Sequence, residues 1–330
     1  MISGVFAMNT PPCWEKRRWK PEERVDPDFK RLEEKLTGKV MWNEPMKGHT
    51  SYGIGGPALG LFYPAGEADL SAILSLSQEK SAPVFFTGSG SNLLVSDDGF
   101  DGFVISLSKT FKTMEIDGTD IYAECGVMMG HFVKKCVGAE LTGVESLVGV
   151  PGTLGGAIRM NAGAYGREIS NFLTSIRVMT LNGDVKEVKR DEIEFSYRHS
   201  SLRDDEIVLS GKFKFEKRTP EEILELKLKA SESRKTTQPL RFRSAGSVFK
   251  NPPEKAAGYL IDQAGLKGTR VGGAEISEKH ANFFVNHGDA SSEDLAELIR
   301  LARRTVREKF DINLELEIKT LGFAEGTFDA

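Results

Sequence analysis

Between Val148 and Gly166 the chain places six glycines among nineteen residues, as Val148-Gly149-Val150-Pro151-Gly152-Thr153-Leu154-Gly155-Gly156-Ala157 running on to Asn161-Ala162-Gly163-Ala164-Tyr165-Gly166. Apolar residues alternate with the glycines, so this is no solvated linker. Glycine leaves the backbone free to turn and to be approached closely. The tract therefore reads as backbone packed against a flat ligand, or as a tightly packed turn. Two other glycine loops limit the fold in the same way. Thr50-Ser51-Tyr52-Gly53-Ile54-Gly55-Gly56-Pro57-Ala58 lies before the first long amphipathic segment. Gly88-Ser89-Gly90-Ser91-Asn92-Leu93-Leu94-Val95 follows directly on the short apolar strand expected at 83–87. A strand running into such a loop exposes successive backbone N–H groups and suits an anion. It is not a Rossmann fingerprint, because the third glycine is missing and no helix follows. Nor does it end in the Lys-Ser/Thr of a phosphate-binding P-loop.

With 330 residues the chain has room for two or three domains. A net charge of −4 argues against general nucleic-acid binding, while leaving room for a local basic pocket. Cys13, Cys125 and Cys136 form no disulfide framework and no metal-ligand spacing, and reduced thiols in the cytoplasm are expected. His280 and His287 are too isolated to suggest zinc, so no metal is expected. No apolar run has the length of a membrane span. The stretch Met1–Met8 lacks the early positive charge of a signal peptide, and residues 1–28 read as a loosely attached arm. The expectation is a soluble cytoplasmic protein, a monomer or weak homo-oligomer.

Folded sequence begins near Phe29, where Phe29, Leu32 and Leu36 have helical spacing. Glu67–Ser81 reads as an amphipathic helix, with Leu70, Ile73, Leu74 and Leu76 near one face. Short strands are expected at Phe103–Leu107, Thr113–Ile116 and Asp120–Cys125, then a helix over Met129–Val137. Strands resume at Ser175–Leu181 and Val185–Lys189 around an Asn182-Gly183-Asp184 turn, and at Glu206–Phe215. Thr219-Pro220-Glu221-Glu222 combines an N-cap, a proline at the first helical position and a capping-box glutamate. The helix it starts should reach about Ser233 and open a new domain. Further helices are expected at Ala256–Gly265 and Ser292–Phe310, and a final alternating strand over Asn313–Leu321.

Polar clusters mark the candidate chemistry. Ser244-Ala245-Gly246-Ser247-Val248-Phe249-Lys250-Asn251-Pro252 puts a hydroxyl on a small-residue turn beside a cation and a side-chain amide. In Ser196-Tyr197-Arg198-His199-Ser200, the guanidinium suits a carboxylate or phosphate, although most arginines are plain surface residues. Glu317 on an alternating strand points either to a site or to water. No Gly-x-Ser-x-Gly elbow surrounds Ser247, which argues against acyl transfer.

In their order along the chain these motifs resemble the UDP-N-acetylenolpyruvoylglucosamine reductase family. Similar segments are Thr50–Ala58, Gly88–Asp97, Gly149–Gly166, Ser196–Ser200, Arg234–Pro239, Gly246–Pro252, Tyr259–Gly273 and Leu314–Gly322, which together span roughly residues 30 to 323. The resemblance implies an α+β fold: an FAD-binding module of the vanillyl-alcohol-oxidase (PCMH) type in two subdomains, followed by an α+β substrate domain. The corresponding division is 29–82 with 313–323, then 83–217, then 218–312. It also implies non-covalent FAD, NADPH as reductant, and a nucleotide-sugar substrate whose enolpyruvyl C3 receives hydride while C2 needs a proton.

Carried over by motif, Ser247 is the proton donor, and Arg198 and Glu317 lie beside the substrate carboxylate and the developing charge. The FAD contacts implied are Tyr52, Gly53, Ile54 and Gly55 in the first loop. The second loop gives Gly88, Ser89, Gly90, Ser91, Asn92 and Leu93. The long tract gives Gly149, Val150, Pro151, Gly152, Gly155, Gly156, Ala157, Asn161 and Gly163. Tyr197, Arg234, Gln238, Lys250, Asn251 and Asn282 are the implied substrate contacts. Two features depart from much of the family. The stretch from Arg198 to Gly211 has no room for an extended tyrosine-bearing loop, which resembles the shorter-loop branch. Leucine replaces proline in Leu314-Glu315-Leu316-Glu317-Ile318, so Glu315 competes with Glu317, and Glu317 is preferred for its place before Ile318-Lys319. The alternatives are an oxidase of the same FAD-binding superfamily, for which His49 is the one nearby candidate for covalent attachment, and a non-catalytic nucleotide-sugar or flavin-binding protein.

Overall fold

Four aromatic residues far apart in sequence meet in one core. In a computed structural model, which describes residues 27–329, Phe29 and Phe62 both pack on Phe103 with ring centroids 4.9 and 4.7 Å apart. Trp42 closes on Phe62 at 5.4 Å while its indole N–H donates to Glu33 at 2.6 Å. The arm expected at residues 1–28 lies almost wholly outside the described residues.

The chain divides into two compact units. The first takes the chain up to Glu44, Ala58–Gly88 and Asp101–Ala230; the second takes Pro45–Pro57, Ser89–Phe100 and Ser231 onward. In the first unit a four-stranded sheet has the order Lys39–Pro45, Pro57–Tyr63, Phe100–Ser106, Val84–Thr87. Its last pair is parallel, with Val84 opposite Phe103. Helix Glu67–Glu79 buries Leu70, Ile73 and Leu74; each such aliphatic side chain removed from water contributes about 1.5–3 kcal/mol. A five-stranded antiparallel sheet follows. There Glu206–Lys214 lies between Leu173–Thr180 and Asp120–Glu124, with Val185–Lys189 and Met114–Asp117 at the edges. The turn at 182–184 closes as expected, the Thr180 N–H donating to the Asp184 carbonyl at 2.9 Å.

The Thr219 capping box forms. Glu222 donates its N–H to the Thr219 hydroxyl, and Thr219 donates its N–H to the Glu222 carboxylate. The helix it starts, Pro220–Thr237, runs four residues past the expected end.

In the second unit, helix Ser292–Phe310 buries Leu295, Leu298, Ile299, Ala302 and Val306. It is capped reciprocally by Ser291 and Asp294. It accompanies helix Ala257–Gln263 and the small antiparallel sheet Arg270–Val271, Ala274–Ile276, Phe284–Asn286.

One expectation is corrected and one element is new. The strand expected over Asn313–Leu321 is regular only at Lys319–Leu321, which pairs in parallel with Leu93–Val95. Upstream, Glu317 and Ile318 both direct their N–H groups at the Val248 carbonyl, at 2.8 and 3.4 Å, which breaks the ladder. Inside the glycine tract, where no helix was expected, Leu154–Arg159 forms a short helix capped by Thr153. No helix among the described residues is long and apolar enough to cross a membrane.

Candidate functional site

The second unit carries an open anion nest. Ser89, Gly90, Ser91 and Asn92 form the turn that precedes strand Leu93–Val95. None of their four backbone N–H groups donates to another described residue. Buried or half-buried N–H groups normally find partners, so four unclaimed in sequence mark a place for an acceptor. Gly90 sits at φ +68°, and a Cβ there would stand 1.9 Å from the His49 carbonyl oxygen. Only glycine fits that approach. The neighbouring loop is held against the nest by the Ser51 N–H, which donates to the Gly90 carbonyl at 3.0 Å. That loop is further fixed by the Thr50 hydroxyl donating to the Ile54 carbonyl at 2.8 Å, and by the Asn286 amide donating to the Tyr52 carbonyl at 2.8 Å. Tyr52 is fully buried and burial pushes its phenol up. A diphosphate group matches these donors, so the residues present fit FAD.

The Ser247 segment belongs to the same unit and is held on both sides. On one side Ser247 bridges Phe283, and the Val248 N–H donates to the Asn282 carbonyl at 2.8 Å. On the other, Phe249 bridges Leu316, and the Glu317 N–H donates to the Val248 carbonyl at 2.8 Å. Ser247 and Glu317 are thus carried on adjacent backbones. Asn282 is 2% exposed and uses both ends of its amide on Phe249, accepting from its N–H at 2.9 Å and donating to its carbonyl at 2.8 Å. Those two bonds hold the segment in place. The Lys250 ammonium pairs with Glu315 at 2.5 Å, so of the two competing acids it is Glu315 that is engaged by this cation. Asn251 accepts the Ala257 N–H at 3.0 Å at the start of helix Ala257–Gln263. Arg234 lies in the last turn of Pro220–Thr237, and the Gln238 N–H donates to its carbonyl at 2.9 Å.

The remaining expected residues fall in the first unit. Gly88 follows strand Val84–Thr87, its carbonyl accepting the Ser106 hydroxyl at 2.9 Å. Gly149, Val150, Pro151 and Gly152 lead into helix Leu154–Arg159, which contains Gly155, Gly156 and Ala157. The Leu154 and Gly155 N–H groups donate to the carbonyls of Val127 and Cys125, at 2.8 and 2.9 Å. Asn161 is fully buried, and its amide donates to Glu168 at 2.6 Å and to the Ser196 carbonyl at 3.0 Å. Its Oδ1 has no partner. The bond to Ser196 ties the glycine tract, with Gly163 two residues on, to the hairpin Phe195–Ser196/His199–Ser200. Tyr197 and Arg198 form the tip of that hairpin. Arg198 has φ +54°, a conformation unfavourable for a long side chain, and its guanidinium stands 5.0 Å from the Tyr197 ring centroid. Strain of this kind concentrates at working positions.

Cys125 and Cys136 are buried; burial raises both thiols, the second to about 12, which leaves them poor nucleophiles. Sequence reading had no reason to pick out Asn282 as a support for Phe249 or Asn286 as a support for Tyr52. Each partner lies more than thirty residues away, and no local pattern signals such a bond.

Residues 58–189 match the domain family described as FAD binding domain, and residues 238–321 that described as UDP-N-acetylenolpyruvoylglucosamine reductase, C-terminal domain. A UDP-N-acetylenolpyruvoylglucosamine reductase of Caldanaerobacter subterraneus subsp. tengcongensis is 43% identical over 286 residues, which is 86% of this chain and 94% of that one. One from Clostridioides difficile is 42% identical over 281 residues, 85% and 92% of the two chains. The crystal structure of the Thermus caldophilus enzyme superposes with a TM-score of 0.74 at 36% identity, covering 87% of this chain and 99% of that chain.

An α+β fold with an FAD-binding domain and an open backbone nest defines a flavoprotein oxidoreductase. The chain belongs to the UDP-N-acetylenolpyruvoylglucosamine reductase family.

Proposed function

We propose that this enzyme reduces UDP-N-acetylenolpyruvoylglucosamine to UDP-N-acetylmuramate with electrons from NADPH, in the supply of peptidoglycan precursors. Bound FAD supplies the relay of hydride between the two substrates. The observation that carries the reading is the fixed segment Ser247–Phe249, held between Asn282 and Glu317 in a chain 43% identical to a curated reductase.

Each residue then has a role. Ser247 donates the proton to C2 of the enolpyruvyl group. Arg198 supplies positive charge where negative charge develops, which is where stabilisation accelerates a reaction most. Glu317 helps only in its protonated form or through a water, because a bare carboxylate would repel an enolate. Asn282 acts by holding the Ser247 segment, while Tyr197, Arg234, Gln238, Lys250 and Asn251 contact the nucleotide sugar. The backbones of Tyr52–Gly55, Gly88–Leu93, Gly149–Gly152 and Gly155–Ala157, with Asn161 and Gly163, receive the cofactor. We assign FAD-binding subdomains to 29–82 with 313–323 and to 83–217, and substrate binding to 218–312. A cytoplasmic monomer or weak homo-oligomer suits a small phosphorylated substrate.

The test is anaerobic absorbance of the purified holoprotein. NADPH should bleach the oxidised-flavin band, and the enolpyruvyl nucleotide sugar should restore it. Recovery only on admitting air would identify an oxidase instead, and failure of NADPH to bleach the band would identify a binding protein.

A further inference from the structure

Arg243 lies outside every motif considered above, four residues before Ser247, and its surroundings are unusual for a cation. Its carbonyl accepts the Asn286 N–H at 2.9 Å, and the side chain of that same Asn286 holds the Tyr52 carbonyl. The guanidinium is draped over Gly53. Nη1 stands 2.0 Å from where a Cβ on Gly53 would be, and Cδ and Cζ stand 3.0 Å from it. Gly53, at φ +70°, thus leaves space that the guanidinium fills. That guanidinium makes no hydrogen bond or ion pair with any described residue.

The loop beneath it leads to the open nest. The Gly53 N–H donates to the Thr50 carbonyl at 3.1 Å, and the Ser51 N–H donates to the Gly90 carbonyl. Four backbone N–H groups offer dipoles but no net charge, whereas a diphosphate brings about two negative charges. The Lys250 ammonium in this unit is already taken by Glu315. An arginine presents five donors in a planar fork that matches phosphate oxygens.

We infer that Arg243 is a diphosphate-binding residue, supplying the side-chain charge that the backbone nest at Ser89–Asn92 lacks. This rests on the reading of the chain as an FAD-dependent reductase of a nucleotide sugar. Both of those ligands carry a diphosphate, and the experiment separates them. Apoprotein is titrated with FAD by fluorescence, and holoprotein with UDP by the shift it causes in the flavin spectrum. Both titrations use wild type, Arg243→Ala and Arg243→Lys, at low and high salt. The alanine variant should weaken one of the two by about tenfold or more, the lysine variant should recover part of the loss, and the salt dependence should shrink. Loss in the FAD titration assigns Arg243 to the cofactor; loss in the UDP titration alone assigns it to the substrate. If both variants melt like wild type and bind both ligands within about twofold of it, the inference is overturned. A wild-type chain that binds no FAD would instead overturn the functional reading beneath it.

Discussion

The side-chain amide of Asn92 donates to the main-chain carbonyl of Glu317 at 2.9 Å, across 225 residues of sequence. The bond is returned one step on, where the Lys319 N–H donates to the Asn92 carbonyl at 2.9 Å. The last residue of the nest and the acid proposed for the reaction are therefore fixed to each other. Asparagine suits this place because its short amide donates to one main-chain carbonyl while its own main-chain carbonyl accepts from Lys319.

Replacing Ser247 by alanine should leave NADPH-dependent bleaching of the flavin unchanged. Its reoxidation by the enolpyruvyl sugar should slow by about 100- to 10,000-fold, the usual worth of a positioned proton donor. Anaerobic stopped-flow absorbance reads both half-reactions. Loss of the first would remove Ser247 from the proposed role.

Arg198→Gly separates stability from activity. Glycine accepts φ +54° without strain, so the melting temperature should hold or rise. Substrate-dependent reoxidation should nonetheless fall sharply, because the charge is gone. A variant that melts lower and keeps its activity would mean Arg198 is structural.

Gly90→Ala should abolish FAD binding, since its Cβ would meet the His49 carbonyl at 1.9 Å. Gly118→Ala is the control: it too has positive φ, +60°, but nothing lies within 4 Å. Only backbone strain of about 1–3 kcal/mol is expected there, with the FAD affinity unchanged. Fluorescence titration of the two apoproteins distinguishes them.

Asn282→Ala removes two buried bonds to Phe249 and leaves both backbone groups unpaired. Each such group costs about 1–3 kcal/mol, which urea denaturation should detect. The same variant should slow flavin reoxidation more than flavin reduction, because the Ser247 segment loses its support.

His280 links this segment to pH. Its Nδ1 accepts the Asn282 N–H at 3.2 Å in the tautomer that leaves this nitrogen unprotonated, its ring packs on Phe283, and Lys267 adds positive charge nearby. Burial, with Lys267 adding to it, holds the imidazole below its ordinary 6.5. The unfolded chain therefore takes up the proton first. Stability from this group is full above about 6.5 and is lost as pH falls from there toward the lowered folded value. His280→Gln should flatten the stability profile over that window. An unchanged slope would dismiss the link.

Much of the architecture was legible in the chain. The capping box at Thr219 and the buried stripe Leu295–Val306 depend on local spacing, and both are found. Alternation at Leu314, Glu315 and Ile318 matched burial but not hydrogen bonding, because an irregular partner segment, Val248–Phe249, claims the donors. The helix at Leu154–Arg159 was hidden by Gly155 and Gly156, poor helix formers; the Leu154 and Gly155 N–H groups are held by the Val127 and Cys125 carbonyls and the Gly156 N–H by the Thr153 hydroxyl. Motif residues were visible one by one. What holds them was not: Asn92 and Asn282 were expected as ligand contacts, and their bonds to distant main chain, like that of Asn286, follow no spacing rule.

The pairing of Lys319–Leu321 with Leu93–Val95 also governs when the protein becomes competent. A ribosome delivers the nest first and the strand that braces it only after some 220 further residues have emerged. Until residues from Ser231 onward emerge, the second unit has only its fragments Pro45–Pro57 and Ser89–Phe100. Cofactor capture is expected to wait for that strand, and a chain cut before Lys319 should lack the brace on its nest.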